Sequence, residues 1–195
     1  MQKPHDNPFK QFAAWYEMAG NSSIDKPNAM VLSTKDDAGG VSSRVVLLSS
    51  FNQEGFVFHT NYLSRKGREI ESSPRVALLF WWDELGYQVR IAGTAEKTSP
   101  TESDEYFAGR PHGSQVGAWA SEQSQVIPGR AVLDERVAEF RAKFKAADVP
   151  RPSHWGGYRV KPDRFEFWVN RENRLHDRFS YKLSGGTWEW VRLAP

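Results

Sequence analysis

The chain has 195 residues, a formal net charge of +2 and no cysteine. This length fits one domain with a sizeable core, which we predict to span residues 1–195. The small charge gives no reason to expect a nucleic acid or a membrane as partner, and the missing cysteines exclude disulfides, thiolate zinc sites and a cysteine nucleophile. No signal peptide and no apolar run long enough to span a bilayer is seen, so we expect a cytoplasmic protein.

The first half of the chain is predicted to begin with a helix and to continue as an antiparallel sheet. Asn7 and Pro8 form a helix start, and Gly20 can end that helix. A basic helix beginning at Ser64 interrupts the extended segments. Five such segments, linked by short turns, are predicted at residues 29–34, 41–49, 55–60, 75–82 and 87–97. This pattern predicts an α+β, mainly β fold whose antiparallel sheet closes as a barrel.

The second half adds helices and then returns to strands. Ser99, followed three residues later by Glu102, forms a capping box that starts a helix. Residues 110–125 are polar or small and can hold one short helix, and a longer amphipathic helix is predicted for residues 130–146. The predicted C-terminal strands cover residues 156–160, 164–169, 178–183 and 187–193.

Cations are concentrated where the second predicted strand and the basic helix occur. Arg44 interrupts an otherwise apolar strand, and Arg65, Lys66 and Arg68 fall in the first turn of the helix that starts at Ser64. Because a helix dipole is positive at its N-terminus, cations there are best explained by an anion lying among them. A solvated basic helix is the alternative, and the additional cation at Arg44 favours the anion site.

A second cluster contains Arg174 and His176. On an extended chain, residues two apart share a face, and these two side chains repel unless an anion or an electron-rich ring lies over them. The alternative is a salt-bridged turn that uses Asp177.

Tyr106, Arg110 and Ser114 offer a phenol, a guanidinium and a hydroxyl around a predicted helix C-terminus, where Arg110 could instead satisfy backbone carbonyls. Two anion pockets with aromatic and amide groups on a barrel indicate a protein that holds two flat, phosphorylated molecules. An oligonucleotide-binding barrel fits less well, because the cations form clusters and acids nearly balance them. The sequence has no nucleophile elbow, no histidine pair at metal-ligand spacing and no P-loop.

Several motifs together resemble the pyridoxine (pyridoxamine) 5′-phosphate oxidase family, over nearly the whole chain. They include RVVLLS (44–49), FHTNYLSRKGREI (58–70), YFAGRPHGSQVGAWASEQS (106–124) and NRLHDRFSY (173–181). The resemblance implies a homodimer of FMN-binding split barrels with the flavin between subunits. It also implies oxidation of pyridoxine or pyridoxamine 5′-phosphate to pyridoxal 5′-phosphate, with hydride transfer from C4′ to flavin N5, dioxygen as acceptor and hydrogen peroxide as product.

The resemblance also implies a role for each matching residue, and the histidine spacing leads us to expect no metal site. The FMN site would comprise Arg44, Val45, Val46, Leu47, His59, Thr60, Arg65, Lys66, Gln88, Gln123, Ser124, Trp168 and Arg178. The substrate site would comprise Ser49, Tyr106, Arg110, Ser114, Arg174 and His176. Of these, Arg174 and His176 would pack over the pyridine ring as the catalytic residues.

The chain departs from the family pattern in two places, both on the substrate side. Ser49 stands where the family has a lysine near the substrate phosphate, and the family's N-terminal arm has no counterpart before His5. Two alternatives therefore stay open: an FMN-dependent oxidase of the phenazine-biosynthesis type that acts on another substrate, and a non-catalytic flavin or pyridoxal phosphate carrier.

Overall fold

A computed structural model describes residues 3–145 and 148–195. In chain order, its α-helices and strands are α1 Pro8–Gly20, β1 Ala29–Lys35, β2 Val41–Leu47, β3 Ser50–Asn52, β4 Gly55–Asn61, α2 Arg65–Ser72, β5 Arg75–Trp82, β6 Tyr87–Lys97, α3 Pro100–Ala108, α4 His112–Ala120, α5 Arg130–Phe144, β7 Trp155–Val169, β8 Asp177–Ser184 and β9 Thr187–Leu193. None of the described helices is long and apolar enough to cross a membrane.

The strands form one antiparallel sheet with the order β2-β1-β5-β6-β7-β4-β3, extended by β8 on β7 and by β9 on β8. The long strand β7 pairs with β4 through its first half and with β8 through its second half. β2 approaches β4, but within residues 3–145 and 148–195 no ladder joins them. The barrel is therefore split, as the family resemblance implies, and the full closure expected from the strand pattern is absent there.

The segment predicted as one strand over residues 41–49 is divided. The amide of Leu48 donates to the carbonyl of Asn28 at 2.8 Å, whereas the amide of Ser49 donates to the carbonyl of Val57 at 2.8 Å. The chain thus leaves the side of β1 and joins β4, and the short strand β3 follows. The continuous apolar pattern gave no sign of this exchange of partner, so the predicted boundary was wrong.

The two strands predicted at residues 156–160 and 164–169 are one strand, β7. Its register against β6 shifts next to Gly93, which pairs with Pro162 while Ala92 pairs with Arg164. Asp163 is therefore the extra residue of a β-bulge, which accommodates a proline that has no N–H to donate. A Cβ on Gly93 would lie 2.2 Å from the carbonyl oxygen of Lys161, so this close approach requires glycine.

The helices cover the sheet through aromatic side chains. Asn7 caps α1 by accepting from the amides of Phe9 and Lys10, and this helix buries Phe9, Phe12 and Trp15. α3 begins with the predicted capping box. The predicted helix over residues 130–146 ends at Phe144, and its last predicted residue lies outside the described part of the chain. α5 packs on a small second core around Trp155 and Phe107.

Candidate functional site

The N-terminus of α2 sets the position of Lys66. Ser64 caps the helix by accepting from the amide of Gly67 at 3.3 Å. A Cβ at Gly67 would lie 2.1 Å from the carbonyl oxygen of Tyr62, so the backbone can approach this closely only at glycine. The buried ammonium of Lys66 then donates to the hydroxyl of Thr60 at 3.1 Å and to Oε1 of Gln123 at 3.0 Å.

Lys66 is a buried cation that forms no ion pair with any described residue. Burial, followed by the charge of Arg44, lowers its pKa from 10.5 to about 8, although Glu69 acts in the opposite direction. At pH 7 it is still mainly protonated. A buried cation whose partners are neutral oxygens is suited to an incoming anion.

The anion expected among the helix cations is provided in part by the protein itself. Glu69 is buried and accepts from Arg44 at 3.1 Å and from Arg65 at 2.7 Å. Burial raises the pKa of Glu69, but hydrogen bonds from Thr34, Ser42 and the two arginines outweigh burial and lower it to about 2. Arg65 uses only its Nε in this pair, so its terminal nitrogens have no acceptor among the described residues.

A cavity of about 370 Å³ lies next to Lys66 and brings together five of the predicted site residues, namely His59, Thr60, Arg110, Ser114 and Gln123. Thr60 and Gln123 also contact Lys66. Predicted flavin residues and the predicted substrate-phosphate residues Arg110 and Ser114 therefore line the same cavity. A larger cleft of about 770 Å³ is lined by Arg159. That guanidinium is already paired with Glu54 and Glu102, so the smaller cavity has the more available cation.

Arg110 lies against an aromatic platform. Its guanidinium carbon is 4.5 Å from the ring centre of Trp155 and 5.6 Å from that of Phe107. Its Nη1 is buried and has no hydrogen-bond partner within the described residues. Burial lowers the pKa of Arg110, but an arginine stays charged. A buried guanidinium nitrogen without an acceptor indicates a site for an anion.

His59 lines this cavity together with Arg110. Its ring stacks on Tyr106, with ring centres 3.6 Å apart and an interplanar angle of 3°. Its Nδ1 is 3.0 Å from the hydroxyl of Ser49, which is also 2.9 Å from the carbonyl of Val57. Burial and the charge of Arg110 lower the pKa of His59 to about 4, so the ring is neutral at pH 7. Ser49 thus orients His59, and Arg110 is left as the cation of this part of the cavity.

A second group of predicted residues lies on the outer face of the sheet. Gln88, Trp168 and Arg178 are cross-strand neighbours on β6, β7 and β8. Arg178 donates to Glu166 at 2.9 Å. Alternation along the strands puts these side chains on the face opposite to Arg44. The single chain therefore does not bring this group to the cavity.

Three of the four remaining predicted flavin residues are exposed at the surface. Val45 and Leu47 point outward and are 66% and 52% exposed, whereas Val46 packs against the core. Ser124 follows the cavity residue Gln123, has φ of 71° and is exposed.

Arg174 and His176 do not lie on one extended segment, so the predicted geometry was wrong. Arg174 ends a 3-10 turn with φ of 61° and is exposed. His176 accepts from the amide of Arg171 at 3.1 Å, and its ring centre is 4.4 Å from that of Trp168. The salt-bridged turn at Asp177 does exist, formed with Arg171 at 2.9 Å and with Arg192.

Sequence reasoning missed two contributions to the site. Glu69 is four residues after Arg65 on α2, a spacing at which helical side chains meet, so the pair was detectable. The platform of Trp155 and Phe107 under Arg110 was not detectable, because the two rings come from β7 and α3.

Comparison with known proteins gives matches over nearly the whole chain. The family model described as pyridoxamine 5′-phosphate oxidase matches residues 18–144, and the pyridoxine 5′-phosphate oxidase C-terminal dimerisation region matches residues 155–195. Proteins named pyridoxine/pyridoxamine 5′-phosphate oxidase are similar at 56% identity in Rubrobacter xylanophilus (97% of this chain, 87% of that one) and at 54% in Crocosphaera subtropica (97% and 90%).

Solved structures are also similar. PhzG from Burkholderia lata, in complex with tetrahydrophenazine-1-carboxylic acid, has a TM-score of 0.94 at 33% identity, over 99% of this chain and 95% of that one. A pyridoxamine 5′-phosphate oxidase-related, FMN binding protein from Nostoc punctiforme has a TM-score of 0.76 at 13% identity, over 97% and 98%. The second likeness concerns the fold alone.

The fold and these matches together define a split-barrel oxidoreductase. The chain belongs to the pyridoxamine 5′-phosphate oxidase family. The family, the fold class and the enzyme class predicted from the sequence are thereby confirmed.

Proposed function

We propose that this protein is an FMN-dependent oxidase that converts pyridoxine 5′-phosphate or pyridoxamine 5′-phosphate to pyridoxal 5′-phosphate. Dioxygen is the acceptor and hydrogen peroxide the product. The proposed working form is a homodimer in the cytoplasm. The name shared by relatives more than 50% identical to this chain supports the substrate class.

The observation that carries the proposal is the unpaired Nη1 of Arg110 beside the cavity. The substrate phosphate would accept from Arg110 and Ser114. Tyr106, held by its stack on His59, would close the side of this pocket. An arginine positioned by aromatic rings keeps its orientation before the anion arrives, which reduces the entropy lost on binding.

The residues around α2 fit the phosphate of FMN. Lys66 offers a buried ammonium, Arg65 offers its free terminal nitrogens, and the first turn of the helix adds its dipole. When bound, FMN supplies the acceptor for the hydride from the substrate carbon and the reactivity with dioxygen. The chain's own part is to hold both phosphates, and with them the two rings, in a fixed relation.

The outer face of the sheet supports a homodimer. This face carries four apolar side chains that are each more than half exposed, namely Val41, Val45, Leu47 and Trp81. Monomeric proteins rarely leave such an apolar surface uncovered. The match to a dimerisation region over residues 155–195 supports the same proposal.

In the dimer, the residues on the outer face would complete the partner's cavity. Gln88, Trp168 and Arg178 would contact the flavin, and Arg174 and His176 would pack over the substrate ring. Their separation from Arg110 and Lys66 within one chain supports this division between two subunits.

Steady-state kinetics of Arg110→Ala test the substrate assignment. We expect the KM for pyridoxine 5′-phosphate to rise by about tenfold to a hundredfold, because one charge-assisted contact contributes about 1.5–3 kcal/mol. Flavin content should stay at the wild-type level. Arg130→Ala, an exposed arginine on α5, is the control. An unchanged KM with lost flavin would contradict the assignment.

A second candidate function is the oxidation of a different substrate, which is the phenazine-biosynthesis alternative that the sequence left open. Ser49 supports it, because that position carries no cation, and so does the structural similarity to PhzG. Turnover of pyridoxine 5′-phosphate favours the first candidate. An FMN-loaded protein that oxidises a tetrahydrophenazine carboxylic acid but no B6 phosphate would favour the second.

A further inference from the structure

We propose that Glu69 is a positioning residue for flavin binding: its buried carboxylate fixes the side chains of Arg44 and Arg65 so that they present their charge to the FMN phosphate. This inference rests on the proposed function. It assigns a role in cofactor affinity to an acidic residue that would itself repel the phosphate.

The carboxylate of Glu69 is buried where α2 meets β1 and β2. Glu69 is only 5% exposed and lies in the second turn of α2. Its oxygens accept from Thr34 on β1, from Ser42 and Arg44 on β2, and from Arg65 on its own helix. One carboxylate therefore links both arginines and joins β1, β2 and α2.

The hydrogen bonds between Arg44 and Glu69 have a fixed direction. A guanidinium only donates and an ionised carboxylate only accepts. Arg44 donates through Nη1 to Thr34 and through Nη2 to Ser42, and both hydroxyls donate onward to Glu69. The chain of donors that runs from Arg44 through the two hydroxyls thus ends on the carboxylate, while Nη1 of Arg44 also donates to the carbonyl of Leu32. A neutral amide at position 69 would direct its NH2 group at atoms that are themselves donors.

Part of each guanidinium group remains available to a ligand. Both terminal nitrogens of Arg44 are engaged with protein, and its Nε has no acceptor within the described residues. Arg65 is engaged only through Nε, so its terminal nitrogens remain free on a half-exposed side chain. Glu69 therefore holds complementary parts of the two guanidinium groups and leaves the other parts for an anion.

Coulomb repulsion and positioning predict opposite results for Glu69→Gln. If the carboxylate acted only as a nearby negative charge, its removal would tighten FMN binding. If it positions the arginines, its removal weakens FMN binding, because freed side chains must be ordered again when the phosphate binds.

The experiment compares FMN with riboflavin, which has the same ring system and no phosphate. Dissociation constants for both are measured by flavin fluorescence on apo wild type, Glu69→Gln and Glu71→Gln. Glu71 lies on the same helix, is exposed and pairs only with Lys97 among the described residues, so it controls for loss of one negative charge from α2.

We expect Glu69→Gln to raise the dissociation constant of FMN about tenfold or more, while that of riboflavin stays within about twofold. Glu71→Gln should change neither. Unchanged or tighter FMN binding in Glu69→Gln would overturn the inference. A wild-type protein that binds FMN no better than riboflavin would instead count against the proposed phosphate site.

Should Glu69→Gln fail to fold, Thr34→Val replaces it. This change removes one hydroxyl between Arg44 and Glu69 and keeps the carboxylate. We expect at least a threefold loss of FMN affinity with riboflavin unaffected, and equal affinities for FMN in this variant and wild type would overturn the proposal.

Discussion

Lys66→Met should stabilise the apo protein and weaken FMN binding at the same time. Methionine keeps the length of the lysine stem and removes the charge. The pKa of Lys66 falls from 10.5 to about 8, which corresponds to a cost of about 3 kcal/mol for keeping the buried side chain charged at pH 7. Thr60 and Gln123 lose a donor in the variant. That loss costs about 1 kcal/mol, because Thr60 still donates to Gln123.

The two contributions leave the apo variant more stable by about 1–2 kcal/mol. For a chain of this size, that corresponds to a rise in Tm of about 3–6 °C. FMN affinity should fall about tenfold to a hundredfold, since the phosphate loses one charge-assisted hydrogen bond. Thermal unfolding of the apo protein and fluorescence titration with FMN measure the two effects, and Lys10→Met on the exposed side of α1 is the control.

A lower Tm for apo Lys66→Met would refute the idea that the ammonium is buried without an anion. Unchanged FMN affinity would refute its assignment to the flavin phosphate. The wild type should also bind FMN less tightly as pH rises above about 8. The bound phosphate raises the pKa of Lys66, so the complex holds a proton that the empty site has already lost. In Lys66→Met this dependence should be absent.

Stability should also depend on pH through His59. Its pKa in the folded state is lowered to about 4. Between pH 6.5 and 4 the unfolded chain therefore binds a proton that the folded chain does not. The free energy of unfolding should fall by about 2–3 kcal/mol as the pH drops through this window. Denaturant unfolding of wild type and His59→Phe measures this effect, and equal pH slopes in the two proteins would contradict it. Gly67→Ala should destabilise the protein by about 1–3 kcal/mol or more, because the new Cβ would meet the backbone of Tyr62 at 2.1 Å. Gly113→Ala, where a Cβ meets nothing within 4 Å on helix α4, should leave the protein as stable as wild type or slightly more stable in the same thermal scan.

Most strands were predictable because alternation and turn residues are local signals. The predicted ends of β5 and β6 agree with the structure. The predicted strand boundaries are wrong where a contact between residues distant in sequence determines the boundary. The segment around Leu48 remains apolar while its backbone changes partner from β1 to β4. Pro162 suggests a break, yet β7 continues because a bulge against Gly93 absorbs it.

The candidate site was predictable in its residue types and less so in its arrangement. The cations on α2 and the residues near Arg110 are grouped in the sequence, so their clustering could be inferred. The engagement of Arg44 and Arg65 by Glu69 depends on three elements meeting. The conformation of Arg174 depends on a turn with left-handed backbone angles, which the sequence motif does not predict.

The most direct test of the central claim is an anaerobic single-turnover measurement. FMN-loaded protein is mixed with pyridoxine 5′-phosphate without oxygen, and flavin absorbance is followed together with pyridoxal 5′-phosphate. The proposed function predicts loss of the flavin absorbance with one pyridoxal 5′-phosphate formed per flavin, and recovery with hydrogen peroxide when oxygen is admitted. An FMN-loaded protein whose absorbance does not change, with no product, would contradict it.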